Sequence, residues 1–330
     1  MKLRNIIVVG LAALAGFAGA QQPAAQQGLV AIVQVSEKSK PTKVLVKGAA
    51  GKDTFKYFDR SREEDVQRKT TGLKLFFLQT PVDMAEAERA FTARDLSAAR
   101  TQLAAVKKKY NGYLGLDRNP AERAAVLELE CAAAQLDFAG LKSLVSSFPH
   151  ADWLSAEDKG KYMAASILAK AGTGAAVADV DAEVQKLMGS GVGKTLNGIC
   201  YGWLKYAQAY ATAAAIPAAE IDGSISEGNA ATAHKAIDLY CQAASSSHGA
   251  AMELPVDAMK RAQALLWAMP GVKEYAAKAI PMDKKKWDGA PANFRDAVAL
   301  AYIVKNIYGT TTPAIDAAAK LFFNTQAGKE

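Results

Sequence analysis

A mostly α-helical fold of successive helical hairpins, with a small antiparallel β subdomain at its N-terminal side, is what this 330-residue sequence predicts. Three observations carry the prediction. Short runs rich in Val, Ile and Phe recur between residues 29 and 80 and then stop. Beyond Pro81, apolar residues recur at helical spacing to the end of the chain. Breakers then cut that stretch into helix-sized pieces: Asn111-Gly112, Asn119-Pro120, Pro149, Gly172, Gly189, Pro217, Gly249, Pro270, Gly289 and Gly309. Half the residues are apolar, so a sizeable core can form. Much of that content is Ala, which favours helices and lets them approach closely.

The chain opens with an address. Lys2 and Arg4 precede an apolar run over residues 6–17, and Ala18-Gly19-Ala20 supplies small residues before Gln21. A charged start, a run too short to span a bilayer and an A-x-A ending read as a secretory signal over residues 1–20. The expected destination is the periplasm, the outer membrane's inner face or the medium. ATP-fuelled cytosolic chemistry is then excluded, and the absence of a Cys after the cleavage site argues against a lipid anchor. Residues 21–28 follow as a Gln/Ala-rich flexible tether.

Residues 29–80 form the β-rich subdomain. Strands are expected at 29–35, 43–47, 54–58 and 73–78, separated by Lys40-Pro41, the glycines of 48–51 and a charged loop over 59–72. A sheet of three or four strands is too small to stand alone, so it is expected to pack on the first helices. The loop from Arg60 to Lys69 is mixed in sign and reads as a solvated connection.

Residues 81–330 form the helical-repeat domain. Leu96, Ala99, Leu103, Val106 and Tyr110 make one helical stripe, and Val126, Leu129, Ala133 and Leu136 another. Placing helix pairs between the breakers starts their first helices near Val82, Ala121, Ser155, Thr195, Glu253 and Pro291. The early spacing, roughly 35 to 40 residues, is that of a helix–turn–helix repeat. The fourth unit carries an insertion around 216–228.

Residues 84–111, MAEAERAFTARDLSAARTQLAAVKKKYN, resemble a tetratricopeptide repeat. Ala87 and Ala99 occupy the small positions where two such helices approach, Leu103 takes the large apolar position, and Arg94-Asp95-Leu96 resembles the turn. Asp83 stands where an aromatic is usual, Asn111 replaces the closing Pro, and Leu141 replaces a small residue in the second unit. The resemblance is to degenerate, exported tetratricopeptide-like proteins with a β-rich head. It implies an α-solenoid whose concave face binds a peptide, protein or polymer, and it assigns no catalytic residue.

The charge of +7 at pH 7 falls by two when Lys2 and Arg4 leave, and no aromatic-interleaved basic stripe accompanies it, so nucleic acid is not an expected partner. Gly189-Ser190-Gly191-Val192-Gly193-Lys194-Thr195 imitates a phosphate loop, but Met188 stands at its first Gly and a helix precedes it. A helix connection with Thr195 as N-cap explains it better. His150, His234 and His248 are scattered. His234 and Asp238 share a face and read as a surface pair. Glu128 and Glu130 lie on one helix but point to different faces. No metal or cofactor site is read.

Candidate binding residues are the aromatics Trp203, Tyr206 and Tyr210 on one helix face and Tyr240 on the partner helix. They read either as core between repeats or as an exposed groove. Cys131, Cys200 and Cys241 read as buried free thiols, or Cys200 and Cys241 as a bridge between neighbouring helices. The expectation is a non-catalytic exported scaffold that presents a concave helical surface to a cell-envelope protein, with no transmembrane segment after signal removal. The alternatives are a glycan- or peptidoglycan-binding protein using the aromatic face, and a hydrolase with carboxylates from separate helices.

Overall fold

The structure, a computed structural model, describes residues 28–59, 62–247, 253–278 and 284–322. The signal at 1–20, residues 21–27 of the tether and His248 lie outside the described residues.

Five strands form the head: β1 (Leu29–Gln34), β2 (Thr42–Ala49), β3 (Thr54–Asp59), β4 (Glu64–Lys69) and β5 (Leu75–Leu78). They lie in the order β4-β3-β2-β1-β5, antiparallel throughout. In β1 the alternation is strict: Leu29, Ala31 and Val33 are buried and the residues between them are half-exposed. The charged loop expected over 59–72 is corrected, because it contains β4, which pairs with β3 from Thr54↔Lys69 to Asp59↔Glu64. None of the side chains of β4 is buried. An edge strand without a buried face has no apolar alternation to display, and its charges guard the open edge.

Fourteen helices follow in the described residues: α1 (Val82–Thr92), α2 (Leu96–Lys109), α3 (Pro120–Ala134), α4 (Phe138–Ser146), α5 (Ala156–Gly172), α6 (Val177–Met188) and α7 (Gly198–Ala214); then α8 (Ala218–Asp222), α9 (Glu227–Ser246), α10 (Glu253–Ala268), α11 (Val272–Lys278), α12 (Lys284–Asp288), α13 (Ala292–Asn306) and α14 (Pro313–Ala319). The first helices of the pairs start within three residues of their expected positions. The largest offset is at α7. There, Val192–Thr195 is a 3₁₀ turn that engages the Thr195 hydroxyl, so Asn197 rather than Thr195 caps the helix, accepting from Cys200 N.

Two of the connections repeat each other. Between α1 and α2, Ala93 is right-handed, Arg94 has φ 66° and the Asp95 side chain accepts from Ala98 N. Between α3 and α4, Gln135, Leu136 (φ 53°) and Asp137, accepting from Gly140 N, do the same. An aspartate N-cap following a left-handed residue is thus a shared device for reversing the chain sharply.

Packing follows chain order. The head shares a core with α1, α2 and α3, in which Ala31, Val46, Phe55 and Leu78 meet Met84, Ala87, Ala99 and Leu103. Tyr113 locks that seam, its hydroxyl accepting from Leu29 N at 3.1 Å and donating to Val46 O at 3.0 Å. The first helices of successive pairs touch: α1 meets α3, α3 meets α5, and α5 meets α7. Beyond them α7 packs on α9, α9 on α10, α10 on α13 and α13 on α14. At Gly202 the approach of α7 to α9 leaves no space for a side chain, since an added Cβ would lie 1.9 Å from Ser247 Oγ. Among the described residues no helix is long and apolar enough to cross a membrane.

Candidate functional site

α1 and α3 each carry a stripe of mixed polarity. On α1 the stripe is Glu88, Phe91 and Thr92; on α3 it is Arg123, Leu127, Glu130 and Ala134. α5 adds Lys161, and α7 adds Ile199 and Trp203. Steps of three or four residues keep each set on one helical face. Together these residues line three adjoining hollows that share walls and form a groove in outline. Its far end, about 230 Å³, lies between Phe91, Ala134, Ile199 and Trp203. The middle, about 340 Å³, shares Phe91, Thr92 and Glu130 with that end. Glu88 and Arg123 then lead into a cleft of about 600 Å³ where the head, the loop at Gly115–Asn119 and the starts of α3 and α5 converge.

The charges in the middle are internally paired. Arg123 Nε lies 3.3 Å from Glu88 Oε1. Lys161 Nζ lies 2.9 Å from Glu130 Oε1, with only 11% and 12% of the two side chains exposed. Burial works against the charge on Lys161, but the Glu130 carboxylate, helped by Asp158, outweighs it and raises the pKa. Glu128, two residues from Glu130, faces away and pairs with Lys107 at 2.6 Å. The expectation that these two glutamates point to different faces therefore holds.

The head-end cleft is less balanced. Asn119 caps α3, accepting from Glu122 N at 2.8 Å and donating to Glu122 Oε2 at 3.0 Å. Burial raises the Glu122 pKa, the Asn119 hydrogen bond opposes that rise, and the carboxylates of Asp158 and Asp117 add to it. Trp153 forms part of the wall. His150 stacks on it at 3.9 Å between ring centroids, and Gly115 (φ +90°) runs so close that a Cβ there would lie 2.8 Å from Trp153 Cζ3.

The aromatics singled out from the sequence lie elsewhere, and mostly inside. Trp203, Tyr206 and Tyr240 are 3%, 0% and 1% exposed, so the core alternative holds for them and an open aromatic groove does not form. Tyr206 and Tyr240 cross edge to face with centroids 5.5 Å apart. The Tyr206 hydroxyl donates to Asp257, which Arg261 also reaches at 2.5 Å, and the Arg261 guanidinium lies 5.0 Å from the Tyr210 ring centroid. Burial pushes the Tyr206 and Tyr240 phenols well above their ordinary range. Tyr210 alone is half-exposed, at the mouth of a cleft of about 430 Å³ beside Ile216, Pro217 and Arg261. Trp203 does contribute to the groove, at its far end.

Cys131, Cys200 and Cys241 are free thiols, and burial pushes Cys131 and Cys200 up to about 12. The bridge considered between Cys200 and Cys241 is not formed. The start of α7 meets the end of α9, with Gly202 against Ala243 and Ser247, so Cys200 lies level with residues beyond Cys241. His234 and Asp238 are exposed on α9, and among the described residues no three His, Cys, Asp or Glu side chains gather to hold a metal ion.

Sequence reasoning missed the groove because its stripes mix charge with apolar surface. The one available signal was the pair of mixed stripes on α1 and α3. No protein-family model, curated protein or solved structure matches the chain.

Proposed function

We propose that this chain is a non-catalytic exported binding protein, a degenerate tetratricopeptide-like solenoid whose concave groove holds a segment of another cell-envelope protein. The observation that carries the proposal is the row of adjoining hollows, with shared walls, along the contacting helices α1, α3, α5 and α7. Stacked helix pairs leave such a surface by construction, because each unit contributes the same face. Export rests on the reading of residues 1–20. The middle charges are already paired with one another, which suits a docking surface better than acid–base chemistry. The glycan alternative loses its stacking platform to the core. The hydrolase alternative keeps one observation: Glu122 of α3 and Asp158 of α5 share a cleft and the first has a raised pKa, as a general acid requires.

The test is a crosslinking pull-down of residues 21–330 from intact envelopes, read by mass spectrometry, beside the variant Thr92→Trp. Thr92 is exposed and borders two stretches of the groove, so Trp there obstructs binding without touching the core. One protein enriched by the parent and lost with the variant is expected. Equal enrichment by both would remove the groove from the account, and turnover of soluble glycan fragments would establish the hydrolase instead.

A further inference from the structure

The two ends of the groove differ in chemistry. At the head end Asp117, Glu122, Glu157 and Asp158 line the cleft with Lys52, Arg118 and Arg123; Arg123 is engaged by Glu88 at 3.3 Å, and Lys161 lies 3.7 Å from Glu157 and 4.0 Å from Asp158. Asp117 has only the neighbouring Arg118 at 4.0 Å, with both side chains about 70% exposed, where such a pair contributes little. Acidic groups outnumber basic ones there, and the carboxylates of Asp117 and Asp158 act unfavourably on ionised Glu122. At the far end Phe91, Ala134, Ile199 and Trp203 make an apolar hole rimmed by Thr92, Arg94 and Glu130, the last held by Lys161 at 2.9 Å.

We infer that the groove accepts an extended polypeptide segment in a single direction, with a Lys or Arg among Asp117, Glu122 and Asp158 and a large apolar side chain between Phe91, Ala134, Ile199 and Trp203. The inference rests on the binding reading above and adds the occupant's chemistry. A cation at the head end relieves the crowding of carboxylates, while an apolar group at the far end leaves water for a hole lined by Phe and Trp. A neutral glycan supplies neither group. A fatty acid fills the hole and sets its carboxylate near Arg94 at the rim, but it leaves the acidic head end without a cation. A polypeptide supplies both groups and fixes the distance between them.

The experiment is selection of phage-displayed random dodecapeptides on the chain of residues 21–330, with affinities of recovered peptides measured by fluorescence anisotropy. Binders should concentrate Lys or Arg toward one end and Phe, Leu, Trp or Met toward the other. The exposed double change Asp117→Lys with Glu157→Lys should weaken them at least ~tenfold, as should Thr92→Trp, while circular dichroism stays that of the parent. Binders lost with Thr92→Trp but indifferent to the double change would overturn the direction and leave the groove standing. Binders indifferent to both, or none recovered, would remove the groove as well.

Discussion

Lys161 is the side chain on which the middle of the groove depends. It holds Glu130 at 2.9 Å and lies 3.7 Å from Glu157 and 4.0 Å from Asp158. Replacing it with Met leaves Glu130 nearly buried and unpaired, which costs about 3 kcal/mol. The double change Lys161→Met with Glu130→Leu should recover most of that loss, because two apolar residues need no partner. Urea unfolding of both singles and the double measures this, and simple additivity would refute the coupling. Glu122 shows the opposite sign. Its pKa is raised in the fold, so the folded chain binds that proton more tightly than the unfolded chain does. The resulting stabilisation is complete below the ordinary glutamate value of 4.5 and is lost as pH rises through the raised value. Glu122→Gln should therefore be more stable than the parent at neutral pH and lose that advantage in acid, as paired melts at the two pH values would show. At this scale the sequence showed which residues share a helical face, as with Trp203, Tyr206 and Tyr210. It did not show whether that face is covered. The cover comes in part from Asp257 and Arg261 on α10, about 50 positions further along, a pairing that no local pattern records.

Among the elements, β4 tests the revised view of the head. It pairs with β3 along its whole length, and Lys47 of β2 reaches across to its Asp65 at 2.6 Å. Deleting residues 62–69 strips β3 of a neighbour and exposes a row of unpaired backbone groups, each costly where it is shielded from water. The thermal midpoint should fall by several degrees, on the order of 1 kcal/mol or more. An unchanged melt would return the segment to the role of a plain connection. Element starts were legible wherever the chemistry is local. Asn119-Pro120 and Ser155 cap α3 and α5 as breakers and cap residues should. The reading slipped at α7 because a hydroxyl can serve a 3₁₀ turn as readily as a helix start. It slipped at β4 because strand signals in sequence are mostly signals of burial, and β4 has no buried face.

For the whole molecule, mostly helical architecture with a small N-terminal sheet was legible because alternation over 29–80 gives way to helical spacing after Pro81. The groove was not, since it exists only where four helix faces converge and each stripe alone looks like an ordinary half-exposed surface. The succession of contacts has a further consequence, in time rather than in space. β5 closes on β1 by residue 78, and each later helix then docks against a surface laid down shortly before it. Contacts of this kind close short loops and form quickly. A chain that emerges N-terminus first can thus bury its apolar residues in order of arrival. The waits that remain are bounded: Leu29 stays for Tyr113, 84 positions on, and Tyr206 for Asp257, 51 positions on.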